Sequence, residues 1–297
     1  MKSVFRELLA AARCDKTVLI LGETGTGKDL IARKIHDLSA RRKGPFVPIN
    51  CANLPEGLFE SELFGHVRGA FTGAVTEKAG ILDEASYGTV FMDEIGELSS
   101  PVQAKILRLL DKRESRKIGA NQPHFINVRF IFATNQNLIK NVRMGSFRED
   151  LFFRINILSI HIPPLRERRE DIPRLATCFL DRENCRMGTC KIMPPETMKR
   201  LSSYSFPGNV RELENIVERS MAVSDHSAIS PNDIRFDYDD DRSDIIDMGK
   251  RLERALERCH WNKTRAAVML GKSRRQLYRI MQRHKIGDLL SKIILTY

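Results

Sequence analysis

Thr17-Val18-Leu19-Ile20-Leu21-Gly22-Glu23-Thr24-Gly25-Thr26-Gly27-Lys28-Asp29 is the stretch that decides the fold of this 297-residue chain. Residues 17–21 form a short apolar run rich in β-formers, closed by glycine, and read as a buried strand. The glycine-rich segment 22–27 runs into Lys28 and a helical pattern over about 28–38. Strand, glycine loop and helix in that order match the core of a P-loop. The glycines let backbone N–H groups face phosphates, and the helix N-terminus adds favourable partial charge. Gly22, Glu23, Thr24, Gly25, Thr26, Gly27, Lys28 and Asp29 are therefore the candidate nucleotide-binding residues. Lys28 is placed to reach the β- and γ-phosphates of ATP. The hydroxyl residue that usually follows the lysine and sits on Mg²⁺ is here Asp29, itself a candidate metal contact.

Outward from that loop, residues 46–49, 89–92 and 128–133 are further strand candidates, and 101–111 reads as a helix. Ser99-Ser100-Pro101 supplies a cap and a proline suited to the first turn. Strands alternating with helices imply an α/β fold, a parallel sheet with helices on both faces. The run 90–92 ends in Asp93-Glu94, a pair of carboxylates at a strand end. Asp93 is placed to hold Mg²⁺ through water and Glu94 to polarise an attacking water. After Pro163-Pro164 the strand signals stop. Residues 172–182, 195–203 and 210–223 read as helices.

The charge of +11 is unevenly spread. Residues 248–297 carry 13 Lys plus Arg against 3 Asp plus Glu, and residues 1–247 carry 36 against 35. The excess sits in the last fifty residues, which marks a separate nucleic-acid-binding segment. There, Ile245, Met248, Leu252, Leu256 and Cys259 recur at helical spacing. Ala266-Ala267 allows close helix packing, Gly271 suits a tight turn and Ser273 caps a second helix. On that helix Leu277 and Met281 face inward. Lys272, Ser273, Arg274, Arg275, Gln276, Tyr278, Arg279 and Arg283 are candidate DNA contacts, Arg274 and Gln276 for base edges and Lys272, Tyr278, Arg279 and Arg283 for phosphates. A solvated basic helical face is the plainer alternative.

No stretch approaches a membrane-spanning length of apolar residues. Arg6, Glu7 and Arg13 interrupt the N-terminal segment, which is no signal peptide. The expected location is cytoplasmic. Cys178, Cys185 and Cys190 cluster loosely, without a CxxC pair or a nearby His, and read with Cys14, Cys51 and Cys259 as free thiols.

Between the two halves of the ATP site lies Gly69-Ala70-Phe71-Thr72-Gly73-Ala74. Alone it is an ordinary glycine-rich surface loop with an apolar tip. Between a P-loop and an acidic strand end, it resembles the signature loop of the sigma-54-dependent transcriptional activators, the bacterial enhancer-binding proteins. Asp29 fits that family better than P-loop proteins at large. The resemblance covers about residues 3–235 and 245–287. It implies an AAA+ ATPase with a helical lid followed by a small all-α Fis-type helix-turn-helix. The expected divisions are 1–164 for the α/β part, 165–235 for the lid, 236–244 for an acidic linker and 245–297 for the DNA-binding domain.

The same resemblance assigns further roles. Gly69, Phe71, Thr72 and Gly73 would contact sigma-54. Thr134 and Asn135 are similar to the sensor I element. Asn50 matches an asparagine that restrains the catalytic glutamate. Arg148 and Arg154 lie in the arginine-finger stretch, acting in trans. Arg211, in Phe206-Pro-Gly-Asn-Val-Arg211, matches sensor II. The implied partners are sigma-54 RNA polymerase, double-stranded enhancer DNA and further copies of the chain, in a hexameric ring and a dimer through the C-terminal domain. Two features depart from the pattern: Val67 stands where an acidic residue is frequent, and the ATPase resemblance starts almost at Met1. With no segment resembling a receiver, GAF or PAS sensor, the expectation is an activator lacking an N-terminal sensor domain. The rival readings are a DNA-binding regulator or repressor with an AAA+ fold that does not remodel polymerase, and an AAA+ chaperone or protease subunit.

Overall fold

The computed structural model describes residues 2–52 and 55–236, then residues 252, 255, 256, 259, 262–270, 277 and 281. The chain divides into two units, residues 1–233 and 234–297.

The first unit opens with helix α1 (Lys2–Arg13), strand β1 (Val18–Leu21) and helix α2 (Lys28–Asp37). β2 (Phe46–Asn50), α3 (Glu56–Phe64), the single turn α4 (Ile81–Glu84), β3 (Thr89–Asp93) and α5 (Ser100–Lys112) follow. A hairpin, β4 (Glu114–Ser115) and β5 (His124–Phe125), precedes β6 (Arg129–Thr134), α6 (Leu138–Arg143), α7 (Glu149–Ile155) and β7 (Leu158–His161). The five long strands form one parallel sheet in the order β2-β3-β6-β1-β7.

Alternation along each strand divides the core between the two faces. Leu19, Val90, Met92, Phe130 and Phe132 join Phe59 and Leu63 of α3, Val102 and Ile106 of α5 and Leu151 of α7. Their neighbours Val18, Ile20, Phe91, Ile131 and Ala133 join Leu8 of α1 and Ile35 of α2. Because both faces are covered, β1 and residues 130–133 of β6 read as continuous apolar runs. β2 is an edge strand and carries Pro48; the bonds from Thr89 N to Pro45 O and from Cys51 N to Asp93 O put the odd-numbered positions on the β3 side. Proline is tolerated where its missing N–H would face outward.

The structure departs from the sequence reading in several places. β7 and the β4–β5 hairpin were not anticipated. Ser99 has the extended N-cap conformation, yet its side chain makes no capping bond and its Oγ is buried without a partner. The first lid helix, α8 (Ile172–Met187), runs beyond the expected Arg182. Arg182 there pairs with Glu214 and Glu218 of the last lid helix, which holds the polar turn in helical form. α9 (Pro195–Ser203) and α10 (Asn209–Val223) complete the lid. β6 begins with a buried arginine, Arg129, whose guanidinium donates to the carbonyls of Ala11 at 2.7 Å and Lys16 at 3.3 Å.

In the second unit, α11 (Lys263–Met269) contributes Ala266 and Ala267 to a cluster with Leu252, Ala255, Leu256, Leu277 and Met281. The small alanines and the inward Leu277 and Met281 are those expected of a packed helical pair. Residues 237–244 of the acidic linker lie outside the described residues.

Candidate functional site

The carboxyl ends of β1, β3 and β6 lie side by side, because Leu21 pairs in register with Thr134 and Met92 with Phe132. A crevice at the carboxyl ends of adjacent parallel strands is where α/β sheets bind ligands. The P-loop leaves β1 here and Gly25 and Gly27 take φ of +78° and +92°, conformations that favour glycine. Among the described residues the N–H groups of Gly25 and Gly27 have no acceptor. These free donors beside a helix N-terminus fit a phosphate chain.

Lys28 is buried, its Nζ donating to Gly22 O at 3.2 Å and standing 3.7 Å from Glu94 Oε1. Asp93 Oδ1 accepts from Glu94 N at 3.0 Å. Glu94 holds φ 55°, ψ 46°, a left-handed backbone that costs a non-glycine residue about 1–3 kcal/mol and clusters at functional sites. Glu94 Oε2 faces Asn135 N at 3.4 Å, and Asn135 Nδ2 donates to Thr24 Oγ1 at 2.9 Å. Asn135 therefore bridges the acidic pair and the P-loop. Thr134 is buried and accepts from Gln136 N at 3.0 Å. A cleft of about 390 Å³ opens beside them, lined in part by Gly22, Glu23, Asn135 and His161.

For a metal, the described residues hold no cluster of three His, Cys, Asp or Glu. Asp93 and the exposed Asp29 offer carboxylate oxygens near the phosphate cradle. That set suits Mg²⁺, which is usually held by one or two carboxylates together with substrate phosphates and water.

Asn50 differs from its expected role. It lies beside Asp93 in the β2–β3 register, but its Oδ1 accepts from Ala52 N at 2.8 Å, a local turn, and makes no bond to Glu94. Arg148 is bound by Asp150 at 2.7 and 3.0 Å, and Arg154 by Asp111 at 3.0 Å and Leu110 O at 3.2 Å. Neither touches the P-loop of its own chain. Arg211 is exposed, and only its backbone meets the loop, through its N–H and that of Val210 to Gly25 O at 3.3 and 2.9 Å. Its side chain has no partner among the described residues.

Sequence reasoning missed what fastens the P-loop. Arg166 binds Glu23 through two bonds of 2.6 and 2.7 Å, and Asn209 Nδ2 reaches Glu23 Oε2 at 3.2 Å and Thr24 O at 3.0 Å. The Arg166 guanidinium holds the Glu23 carboxyl below the usual carboxylate range; burial opposes it, and the Asn209 hydrogen bond adds a lesser lowering. Arg168 donates to Thr26 O at 3.2 Å, and Asn209 Oδ1 accepts from Leu165 N at 2.8 Å. The charged run after Pro163-Pro164 was the available signal, though charge alone does not name a partner.

The loop 69–74 stands elsewhere on the unit. Its foot is braced by bridges from His66 to Lys78 and Ile118. Gly69 N bonds Ala74 O at 2.8 Å and Ala74 N bonds Phe71 O at 3.0 Å. Phe71 is 45% exposed and lies edge-on to His66 with centroids 5.0 Å apart. His66 is in turn fixed by Ser61 Oγ at 2.8 Å. Gly69 and Gly73 have positive φ, Thr72 is exposed and Ala74 is buried.

The candidate DNA contacts Lys272, Ser273, Arg274, Arg275, Gln276, Tyr278, Arg279 and Arg283 lie outside the described residues. All six cysteines are free, with Cys178, Cys185 and Cys190 exposed.

Comparison with known proteins gives one direction. The family model described as Sigma-54 interaction domain matches residues 1–161. The AAA+ ATPase lid domain matches residues 166–248, and the Fis family of bacterial regulatory proteins matches residues 249–284. The Nif-specific regulatory protein of Azotobacter vinelandii is 44% identical over 295 residues, covering 94% of this chain and 56% of that protein. The regulatory protein AtoC of Escherichia coli (strain K12) is 42% identical over 308 residues, covering 96% of this chain and 66% of that protein. The crystal structure of NtrX from Brucella abortus in complex with ATP gives a TM-score of 0.73 at 31% identity, covering 96% of this chain and 67% of that one. The chain thus spans about half to two thirds of the length of these relatives.

Proposed function

This chain belongs to the sigma-54-dependent transcriptional activators, and on that premise we propose that it hydrolyses ATP to drive the loop 69–74 against a sigma-54 RNA polymerase closed complex, from a site on enhancer DNA. The observation that carries the reading is a physical link between the two places. Cys51 N bonds Asp93 O at 2.9 Å, so β2 reports on the acidic strand end. α3, which follows β2 in the chain, ends at Phe64, and its Ser61 holds His66 at the foot of the loop. A shift at Asp93-Glu94 thus has a short packed route to Phe71.

In this reading the P-loop and Lys28 bind the phosphates, and Mg²⁺, held by Asp93 with Asp29 close by, supplies charge neutralisation when bound. Glu94 leaves Lys28 to accept a proton from water, while Thr134 and Asn135 sense the γ-phosphate. Arg211 reaches the nucleotide from the lid. Arg148 and Arg154 leave their surface carboxylates to act in a neighbouring subunit's site, which makes a ring, hexameric as in the family, part of the proposal. Gly69, Phe71, Thr72 and Gly73 form the sigma-54 contact. Arg274, Gln276 and their basic neighbours anchor the chain to DNA in the cytoplasm, as a pair of C-terminal domains. Among the described residues no helix is long and apolar enough to cross a membrane.

The test is transcription in vitro with sigma-54 polymerase, ATP and a supercoiled template. ATP-dependent open-complex formation is expected. ATP hydrolysis with no open complexes at any tested promoter would favour the DNA-bound regulator that does not remodel polymerase.

A further inference from the structure

The cavity between α3, α5 and the β4–β5 hairpin belongs to neither the nucleotide site nor the loop tip. We propose that it binds a small organic anion, an aromatic or apolar body carrying a phosphate. Its volume of about 420 Å³ falls in the range of small-molecule pockets, ~300–1,000 Å³. Phe64 and Leu109 and the backbone turn at Gly119 and Ala120 give it apolar lining.

The charge around the rim is unbalanced. Of the lining cations, Lys105 is paired with Glu60 and Lys117 with Glu77. Arg108, Lys112 and Arg116 have no ion-pair partner among the described residues, and Glu114 is the remaining carboxylate in the wall. Three free cations against one free carboxylate leave a net positive pocket over an apolar floor. Ser115, also in the wall, is 2% exposed and its Oγ is buried without a hydrogen-bond partner. That hydroxyl is closed to solvent, so the rim cations and the apolar floor carry the binding.

Concavity argues for a small ligand over a nucleic-acid backbone. Phosphodiester contacts are made by basic and polar groups, and a concave apolar floor adds nothing to them. The site also has a mechanical neighbour. Ile118 N bonds Gly65 O at 2.9 Å, Val67 N bonds Ile118 O at 3.1 Å, and a Cβ built on Gly119 would lie 2.8 Å from Ala70 Cβ. The cavity wall is thus the shelf on which the 69–74 loop rests, and an occupant stiffens that shelf. Binding itself does not depend on the role proposed for the loop.

The experiment uses the full chain saturated with ADP and Mg²⁺, so that the P-loop is filled, and the fluorescent probe 4-methylumbelliferyl phosphate. Saturable binding of one equivalent is expected, with 4-methylumbelliferone or inorganic phosphate alone far weaker. The double variant Arg108→Glu/Lys112→Glu should lose affinity about tenfold or more with ADP affinity unchanged. Ala120→Trp, which fills the cavity and leaves the charges, should also lose the probe. No saturable binding at millimolar probe, equal binding by the charge-reversed variant, or displacement by duplex DNA as effective as by excess probe would overturn the proposal.

Discussion

Two loops of this chain are built from the same materials and end in opposite situations. Residues 22–27 and 69–74 both mix glycine, threonine and one larger side chain, and each has two glycines at positive φ. At Gly25 a Cβ would lie 2.3 Å from Gly208 O, inside the lid; at Gly69 or Gly73 it would meet nothing within 4 Å. The first loop is fastened by Arg166, Asn209 and Arg168 from outside itself. The second is held by turn bonds at its base, by one ring contact to His66 and by the seat of Ala70 against Gly119. Glycine serves close approach in one and conformational freedom in the other. Under the proposed function, the loop that presents fixed donors to a phosphate is locked by its surroundings, and the loop that changes its aim is tied only at the foot.

Substitutions can break that contrast, and the largest effect belongs to Lys28→Ala. ATP hydrolysis, followed by phosphate release, should fall about 10²–10³-fold or more, and transcription with it, while the loop 69–74 keeps its fold. Thr72→Ala should separate the two ends: hydrolysis stays within about twofold of the wild type and open-complex formation is lost. Retained transcription would end the role given to the loop. Gly25→Ala should lower thermal stability by about 2 kcal/mol or more, through strain and a backbone clash, whereas Gly69→Ala should cost roughly 1 kcal/mol for the left-handed backbone alone. Equal losses in calorimetry would erase the distinction between the loops.

Arg166→Ala should weaken ATP binding about tenfold, because it leaves Glu23 charged beside the phosphates with no cation to balance it; Glu23→Gln in the same chain should restore most of it. The smallest effect is that of pH. Arg166 depresses the folded-state pKa of Glu23, so its contribution is fully present above the ordinary carboxylate pKa and is lost as pH falls through the depressed folded value. The difference in Tm between wild type and Glu23→Gln should therefore shrink in acid and stay constant near neutrality.

The sheet was legible because its central strands are buried on both faces, so β1 and β3 appear as apolar runs closed by glycine or acid and β6 carries the run 130–133. β7 was harder: Leu158–His161 alternates and has no such boundary, and it becomes a strand by pairing with β1. The lid helices were readable from periodicity except where α8 continues through polar residues that cross-helix ion pairs support. At the site, Lys28, Asp93 and Glu94 could be named as candidates from spacing, since Asp93 closes a strand and Lys28 and Glu94 follow one by a short offset. Arg166, Arg168 and Asn209 could not, since their partners lie on the P-loop well over a hundred residues away. Asn50 shows a related limit: its position beside Asp93 was readable, its bond to Ala52 was not.

Pro48 on the edge strand β2 has a consequence for the ring proposed above. An open strand edge is a template on which another chain can lay a strand, and proline removes a donor from that template. With Pro48 on the outward side, runaway sheet-to-sheet stacking is disfavoured at that rim, even at the high local concentrations that assembly creates. Pro48→Val would restore the donor and the β-propensity together, and the cost would surface as aggregation during expression while the purified, correctly folded protein remained fully active.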